Sequence, residues 1–314
     1  MKLAFLFPGQ GSQAVGMGAE IAEAFGAARQ VFQEVDEALG QSLWRLMREG
    51  PLETLTLTEN AQPALMAVSL AVMAALDREF GVSVTRAAFV AGHSLGEYSA
   101  LAAAGAISLP DAARLLKRRG QAMQAAVPPG EGAMAALIGP KTDTALAEAA
   151  ARAGEAAGVV VVANDNNLGN VVISGEAAAV DAAVEAAKGL GARAVPLNVS
   201  APFHSPLMAP AADVMGQALA AVTLAAPRPP LVANVTARPV SEPDAIRDLL
   251  VQQVTARVRW RESLEWMVSE GEIELFAEAG AGKALTGMAR RCAPQAEAMA
   301  LNTPADLEAF AKRL

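Results

Sequence analysis

The sequence predicts an α/β fold in which a compact βαββαβ unit interrupts a larger α/β domain. Three observations carry this expectation. Gly92-His93-Ser94-Leu95-Gly96 has the Gly-x-Ser-x-Gly spacing of a nucleophile elbow, a serine held on a tight strand-to-helix turn. Its flanks fit: residues 87–91 form a short apolar run suited to a buried strand, and residues 97–104 are rich in helix formers. Between residues 130 and 197 the pattern becomes strand, helix, strand, strand, helix, strand, the ferredoxin-like order, and the earlier style resumes after it.

Residues 3–7 read as an apolar strand running into Pro8-Gly9-Gln10-Gly11-Ser12-Gln13. Gly9, Gly11 and Ala14 match a dinucleotide fingerprint, but that motif needs a second strand ending in an acidic residue about twenty positions on. Residues 30–39 have helical spacing instead, with Glu34 and Asp36 inside it. A glycine loop that brings backbone N–H groups to an active site is the better account. From about residue 20 to residue 80 the pattern is helical, broken at Gly40, at Gly50-Pro51 and before Gln62-Pro63. Beyond the elbow a helix spans about 110–126, opened by Leu109-Pro110 and closed by Val127-Pro128-Pro129-Gly130. Lys117, Arg118 and Arg119 lie in its second half.

The inserted unit has expected strands at 134–138, 159–163, 171–174 and 193–197, and helices at 142–152 and 177–188. After it come strands at 231–235 and 273–277 and helices at 206–221 and 261–269. Gly280-Ala281-Gly282-Lys283 hints at a phosphate loop, yet the full pattern fails because positions 277 and 284 are alanines.

Composition narrows the function classes. A chain of 314 residues, 53% hydrophobic, can bury a large core. A net charge of -8 argues against nucleic acid or an anionic membrane as a general partner. The one cysteine, Cys292, cannot form an internal disulfide, and in Arg290-Arg291-Cys292 near a helix end it reads as packing. No run of 18 apolar residues appears, and the N-terminal stretch is too short for a signal peptide, so a soluble cytoplasmic protein is expected.

A serine hydroxyl needs a base to take its proton. Only two histidines exist. His93 adjoins Ser94, and adjacent side chains on an elbow point apart, so a structural hydrogen bond suits it. His204, bracketed by Pro202 and Pro206, is the remaining candidate base. An α/β-hydrolase would place an acid between serine and a late histidine, but His204 sits mid-chain and no acid stands out.

Several motifs bear on this together: FPGQGSQ at 7–13, GHSLGEYSAL at 92–101, RRGQAM at 118–123, GAMAALIG at 132–139, SAPFHSPLM at 200–208 and AEAGAGKALTGMARR at 277–291. With them the chain resembles, over its full length, the malonyl-CoA:acyl carrier protein transacylases of the acyltransferase superfamily, which also serves polyketide synthesis. The resemblance implies an α/β-hydrolase-like large domain, residues 1–129 and 198–314, around an inserted ferredoxin-like small domain, residues 130–197. It implies Ser94 as acylated nucleophile, His204 as its base, and the backbone N–H groups of Gln10 and Leu95 as oxyanion hole. It implies that Arg119 holds the malonyl carboxylate and that the backbone carbonyl of Gln253 orients His204 in place of an acid. Phe203 resembles the malonyl-selecting form, and Asn164 and Asn166 match an asparagine pair near the site. Malonyl-CoA and acyl carrier protein are the implied substrates, in a ping-pong transfer with no metal or bound redox cofactor. A polyketide-synthase acyltransferase and an acyl-thioester hydrolase remain the alternatives. Carrier proteins are typically acidic, so docking on a chain of -8 predicts a local basic patch, with Lys117, Arg118, Lys283, Arg290 and Arg291 as candidates.

Overall fold

In the computed structural model, which describes Met1–Leu314, the chain opens with β1 (Leu3–Phe7). There follow α1 (Ala19–Ala24), α2 (Gly26–Leu39), α3 (Leu43–Glu49), α4 (Leu52–Thr56) and α5 (Thr58–Phe80). The elbow joins β2 (Phe89–Gly92) to α6 (Gly96–Ala103), and α7 (Leu109–Ala125) comes next. Then come β3 (Gly132–Ile138), α8 (Thr144–Gly154), β4 (Val160–Asn167), β5 (Asn170–Glu176), α9 (Ala177–Gly189) and β6 (Arg193–Pro196). The remainder is α10 (Ala209–Ala220), β7 (Leu231–Ala233), β8 (Arg238–Val240), α11 (Pro243–Gln253), α12 (Trp260–Ser269), β9 (Leu275–Ala279), α13 (Ala284–Cys292), β10 (Glu297–Leu301) and α14 (Pro304–Ala311).

Two sheets result. The larger runs β10-β9-β1-β2-β7-β8, parallel except for the β7–β8 hairpin at its edge. The smaller is antiparallel, β4-β5-β3-β6, the ferredoxin-like order. β1 shows why its sequence is a continuous apolar run. Leu3, Phe5 and Phe7 enter the main core under α5, whereas Ala4 and Leu6 enter a second core under α12 and α13. Burying each of the larger side chains contributes about 1.5–3 kcal/mol. No helix is long and apolar enough to cross a membrane.

Two sequence expectations shift and two strands are new. The break expected before Gln62-Pro63 falls at Leu57, and α5 carries Pro63 inside it. Proline lacks the N–H that would reach the Glu59 carbonyl, a loss of one bond that a nearly all-buried helix tolerates. The strand expected at 273–277 is β9, two residues later. β8 and β10 were not expected: one is a three-residue edge strand holding Pro239, the other opens on a charged residue. The dinucleotide reading fails structurally too, since β1 leads to no helix before Ala19.

The small sheet is fixed against the large unit next to the elbow. Asp165 N donates to the Val258 carbonyl (3.0 Å), Val258 N donates to the Ala163 carbonyl (2.8 Å), and buried Asp165 pairs with Arg261 of α12 at 2.8 Å. This holds the end of β4, with Asn164 and Asn166, over the C-terminal edge of β1 and β2.

Candidate active site

Ser94 sits between β2 and α6 with φ 54°, a left-handed conformation that costs a non-glycine residue about 1–3 kcal/mol. Two glycines make the turn possible. A Cβ on Gly92 would lie 1.9 Å from the Gly96 carbonyl carbon, and one on Gly96 would lie 2.2 Å from the Phe7 oxygen. The turn is pinned by Ser94 N donating to Asn234 Oδ1 (2.8 Å) and His93 N donating to the Phe7 carbonyl (3.0 Å). Ser94 therefore stands at the positive end of α6.

His204 also has a left-handed backbone, φ 55°, in the bend between Pro202 and Pro206. Its Nε2 lies 2.8 Å from Ser94 Oγ and its Nδ1 lies 2.9 Å from the Gln253 carbonyl oxygen. A carbonyl only accepts, so Nδ1 carries the hydrogen and Nε2 is left to accept from the serine. Gln253 ends α11, where helix carbonyls lack intrahelical partners, which explains how a main-chain oxygen does an acid's orienting work. Burial, helped by the charge of Arg119, pushes the His204 imidazole down to about 3.

Arg119 reaches the same point from the middle of α7. Only 2% of it is exposed. Its Nη1 donates to Gln62 Oε1 (2.8 Å), and its Nη2 donates to Gln253 Oε1 (2.8 Å) and to Ser94 Oγ (3.2 Å). Every one of these acceptors is neutral. Burial lowers its guanidinium from the ordinary value, which starts high enough for the charge to persist. The site thus holds a buried cation beside a nucleophile, without an anion in contact. Such a group favours an incoming carboxylate.

A cavity of about 260 Å³ opens over these residues, lined by Gln10, Leu95, Arg119, His204, Phe203 and, from the small sheet, Met134 and Asn164. The backbone N–H groups of Gln10 and Leu95 donate to no protein acceptor. Asn166 Oδ1 and His93 Nε2 are 2.9 Å apart, so His93 is tied to the small sheet and away from the serine.

Comparison with known proteins gives the family. Residues 4–304 match the model of the acyl transferase domain family. This chain belongs to that family. Over 309 residues the acyltransferase is 46% identical to the malonyl CoA-acyl carrier protein transacylase of Escherichia coli strain K12, with 98% of each chain covered. The crystal structure of acyl-carrier-protein-S-malonyltransferase from Bartonella henselae superposes with a TM-score of 0.96 at 54% identity, covering 100% of this chain and 99% of that one. A malonyl-transacylase solved in complex with a type II polyketide synthase acyl-carrier protein superposes at 0.95 and 41% identity, each chain fully covered.

Sequence reasoning alone passed over several members of the acyltransferase's site. In the sequence Gln62 marks only a helix break, yet it accepts from Arg119 and donates to Thr58 Oγ1 (2.9 Å), which in turn donates to Gln10 Oε1 (2.9 Å). Asn234 and Glu97 look like parts of a strand and a helix, and the family resemblance points to Gln253 only for its carbonyl. For Asn234 and Glu97 the signal is a polar residue inside an apolar run. Cys292 has its thiol pushed up to about 12 by burial, the opposite of an activated nucleophile. The basic patch is divided: Lys117 is paired with Glu59 at 3.0 Å, and Arg118 lines a separate groove with Arg114 between α7 and α10.

Proposed function

We propose that the chain transfers the malonyl group of malonyl-CoA to the phosphopantetheine thiol of acyl carrier protein, supplying fatty acid elongation. The observation that carries this reading is the buried Arg119 guanidinium 3.2 Å from Ser94 Oγ, its side-chain partners all neutral. A fork of parallel N–H groups matches a carboxylate, and malonyl is a short acyl group that ends in one.

In this reading His204 Nε2 takes the Ser94 proton as Oγ attacks the thioester carbon. The Gln10 and Leu95 N–H groups receive the developing oxyanion. The C–S bond breaks, CoA leaves as thiolate, and the imidazolium returns a proton to it. The carrier thiol then loses its proton to His204 and attacks the malonyl-serine; the C–O bond breaks, and the imidazolium returns the proton to Ser94 Oγ. The reading needs no metal and no bound redox cofactor, since malonyl-CoA is a substrate, and it places the reaction in the cytoplasm. It divides the chain into residues 1–129 with 198–314 and an inserted 130–197, and the cavity lies where the two meet.

A polyketide carrier is the second destination, because a fold relative was solved with one. Intact-protein mass spectrometry after brief exposure to malonyl-CoA tests the reaction. One malonyl adduct on Ser94, discharged by a carrier thiol faster than by water, is expected. No adduct, or discharge to water alone, overturns it. Side-by-side discharge to fatty acid and polyketide carriers separates the two destinations.

A further inference from the structure

We propose that Glu97 is a positioning residue for substrate selection: it fixes which way round the Gln253 amide sits, and so keeps an acceptor against Arg119. The proposal rests on the reading in which Arg119 receives the malonyl carboxylate.

Glu97 lies in the first turn of α6, 2% exposed, and its side chain bonds neither His204 nor a residue that lines the cavity. One carboxylate oxygen accepts from the backbone N–H of Asn234 at 2.8 Å, a donor that cannot turn around. The other accepts from Gln253 Nε2. An ionised carboxylate offers acceptors only, so the Gln253 amide must present its NH2 group to Glu97. The second hydrogen of that NH2 goes to the Ser94 carbonyl at 2.9 Å. The amide oxygen is thereby left facing Arg119 Nη2 at 2.8 Å. Reversing the amide would set oxygen against carboxylate and NH2 against guanidinium. Only one polarity satisfies Glu97, the Ser94 carbonyl and Arg119 together, and Glu97 is the ionised one of the two acceptors that hold the NH2 group in place.

Burial pushes the Glu97 carboxyl up to about 7, against the pull of the Asn234 N–H, the Gln253 amide and the charge of Arg119. Both oxygens face N–H donors, the arrangement that suits the ionised form. The link to His204 uses a different atom of Gln253, its backbone oxygen. Base and selector are thus held by separate parts of one residue, and the selector can be disturbed without the base.

Glu97→Gln supplies the disturbance. Its oxygen stays on Asn234 N and its NH2 then opposes Gln253 Nε2; turning the amide to relieve that clash withdraws Gln253 Oε1 from Arg119 Nη2, with the Ser94 carbonyl as the one acceptor left to resist it. The measurement is stopped-flow acylation of Ser94 by malonyl-CoA and by acetyl-CoA, which has no free carboxylate. The expected result is a fall of about tenfold in the malonyl/acetyl ratio of kcat/KM, seen as a raised malonyl-CoA KM, with acetyl-CoA within about twofold. Equal loss on both substrates, or an unchanged ratio, overturns the proposal. If Glu97→Gln does not fold, Glu97→Asp tests the same link by drawing the carboxylate back from Gln253 Nε2 while keeping its charge. The same selective loss is then expected, with the same two overturning outcomes. Wild-type protein that fails to take malonyl on Ser94 removes the underlying reading as well. Wild type that is malonylated, with variants of unchanged ratio, removes this proposal alone.

Discussion

Ser94 and His204, far apart in the chain, both hold left-handed backbones (φ 54° and 55°) and meet at 2.8 Å. Two strained residues facing each other place the strain where the chemistry is. Ser94→Ala should abolish acyl labelling by malonyl-CoA. His204→Ala should slow acylation by roughly a hundredfold or more, since positioned bases contribute about 10²–10⁴. His93→Ala, tied to Asn166 instead, should cost less at the chemical step. Rapid-quench labelling of the three variants checks the assignment, and a reversed order of the two histidines would overturn it.

The low value of His204 sets a pH signature. A histidine acts as base only when neutral, and an ordinary one is mostly protonated below about pH 6.5. With the folded value near 3, the neutral form persists throughout the mildly acid range. Acylation of Ser94 by acetyl-CoA should therefore change little between pH 7 and pH 5.5. An unshifted histidine would give a drop of roughly eightfold over that interval. A limb near pH 6.5 in single-turnover rates would show that burial does not protect this imidazole.

Gly96 links the elbow to the rest of the fold. Its added Cβ would meet the Phe7 oxygen at 2.2 Å and the Pro8 oxygen at 3.1 Å, both backbone atoms that cannot step aside. The Phe7 oxygen also accepts from His93 N, so any shift moves the strand end and the turn together. Gly96→Ala should destabilise the protein by about 1–3 kcal/mol or more. It should also slow acylation, because the Gln10 loop follows Pro8 directly. Urea midpoints and labelling rates on the same preparation test both halves. A variant of wild-type stability and rate would contradict the packing argument.

The elbow, the inserted unit and the two polar ends of the mechanism were legible because each depends on local grammar. Gly92 and Gly96 bracket Ser94 at fixed spacing, and the βαββαβ order of short segments points to the small sheet. What escaped was whatever depends on distant partners. Glu97 looks like a helix former, and only the fold shows that Asn234 and Gln253 meet it. The side-chain amide of Gln253 was invisible for the same reason, although its carbonyl followed from the family resemblance. β10 was missed because Glu297-Ala298-Met299-Ala300-Leu301 is short and opens on a charge. Its strand character comes from pairing with β9.

Arg119 should govern discrimination more than rate. Removing the charge partner of a buried carboxylate costs about 2–5 kcal/mol, whereas acetyl-CoA brings no carboxylate to miss it. Arg119→Ala should lower the malonyl/acetyl ratio of kcat/KM at least tenfold. Arg119→Lys should recover little, because a single ammonium cannot bridge Gln62, Gln253 and a ligand as the planar fork does. Equal losses on both substrates would make Arg119 a structural residue.

Docking of the carrier protein gives the last prediction. An acidic partner approaching a chain of net charge -8 is repelled overall, so association depends on local positive charge. The structure removes Lys117, held by Glu59, and sets Arg118 in the α7–α10 groove. The exposed cations of α13 remain. Lys283 precedes its first turn, next to Gly282, which approaches Ser12 of the active-site loop. Arg290 and Arg291 lie in its last turn, and Arg290 makes one bond, from Nη2 to the Ala298 carbonyl at 3.1 Å. A purely structural role would confine their effect to the helix C-terminus, about 0.3–1 kcal/mol of stability. A docking role acts on association and is screened by salt. Arg290→Glu combined with Arg291→Glu should raise the carrier-protein KM several-fold at low salt and less at high salt, while malonylation of Ser94 by malonyl-CoA stays at the wild-type rate. Arg118→Glu should leave the carrier KM unchanged. Unchanged carrier kinetics in the double variant, or an equal effect from Arg118→Glu, would show that α13 does not select the partner.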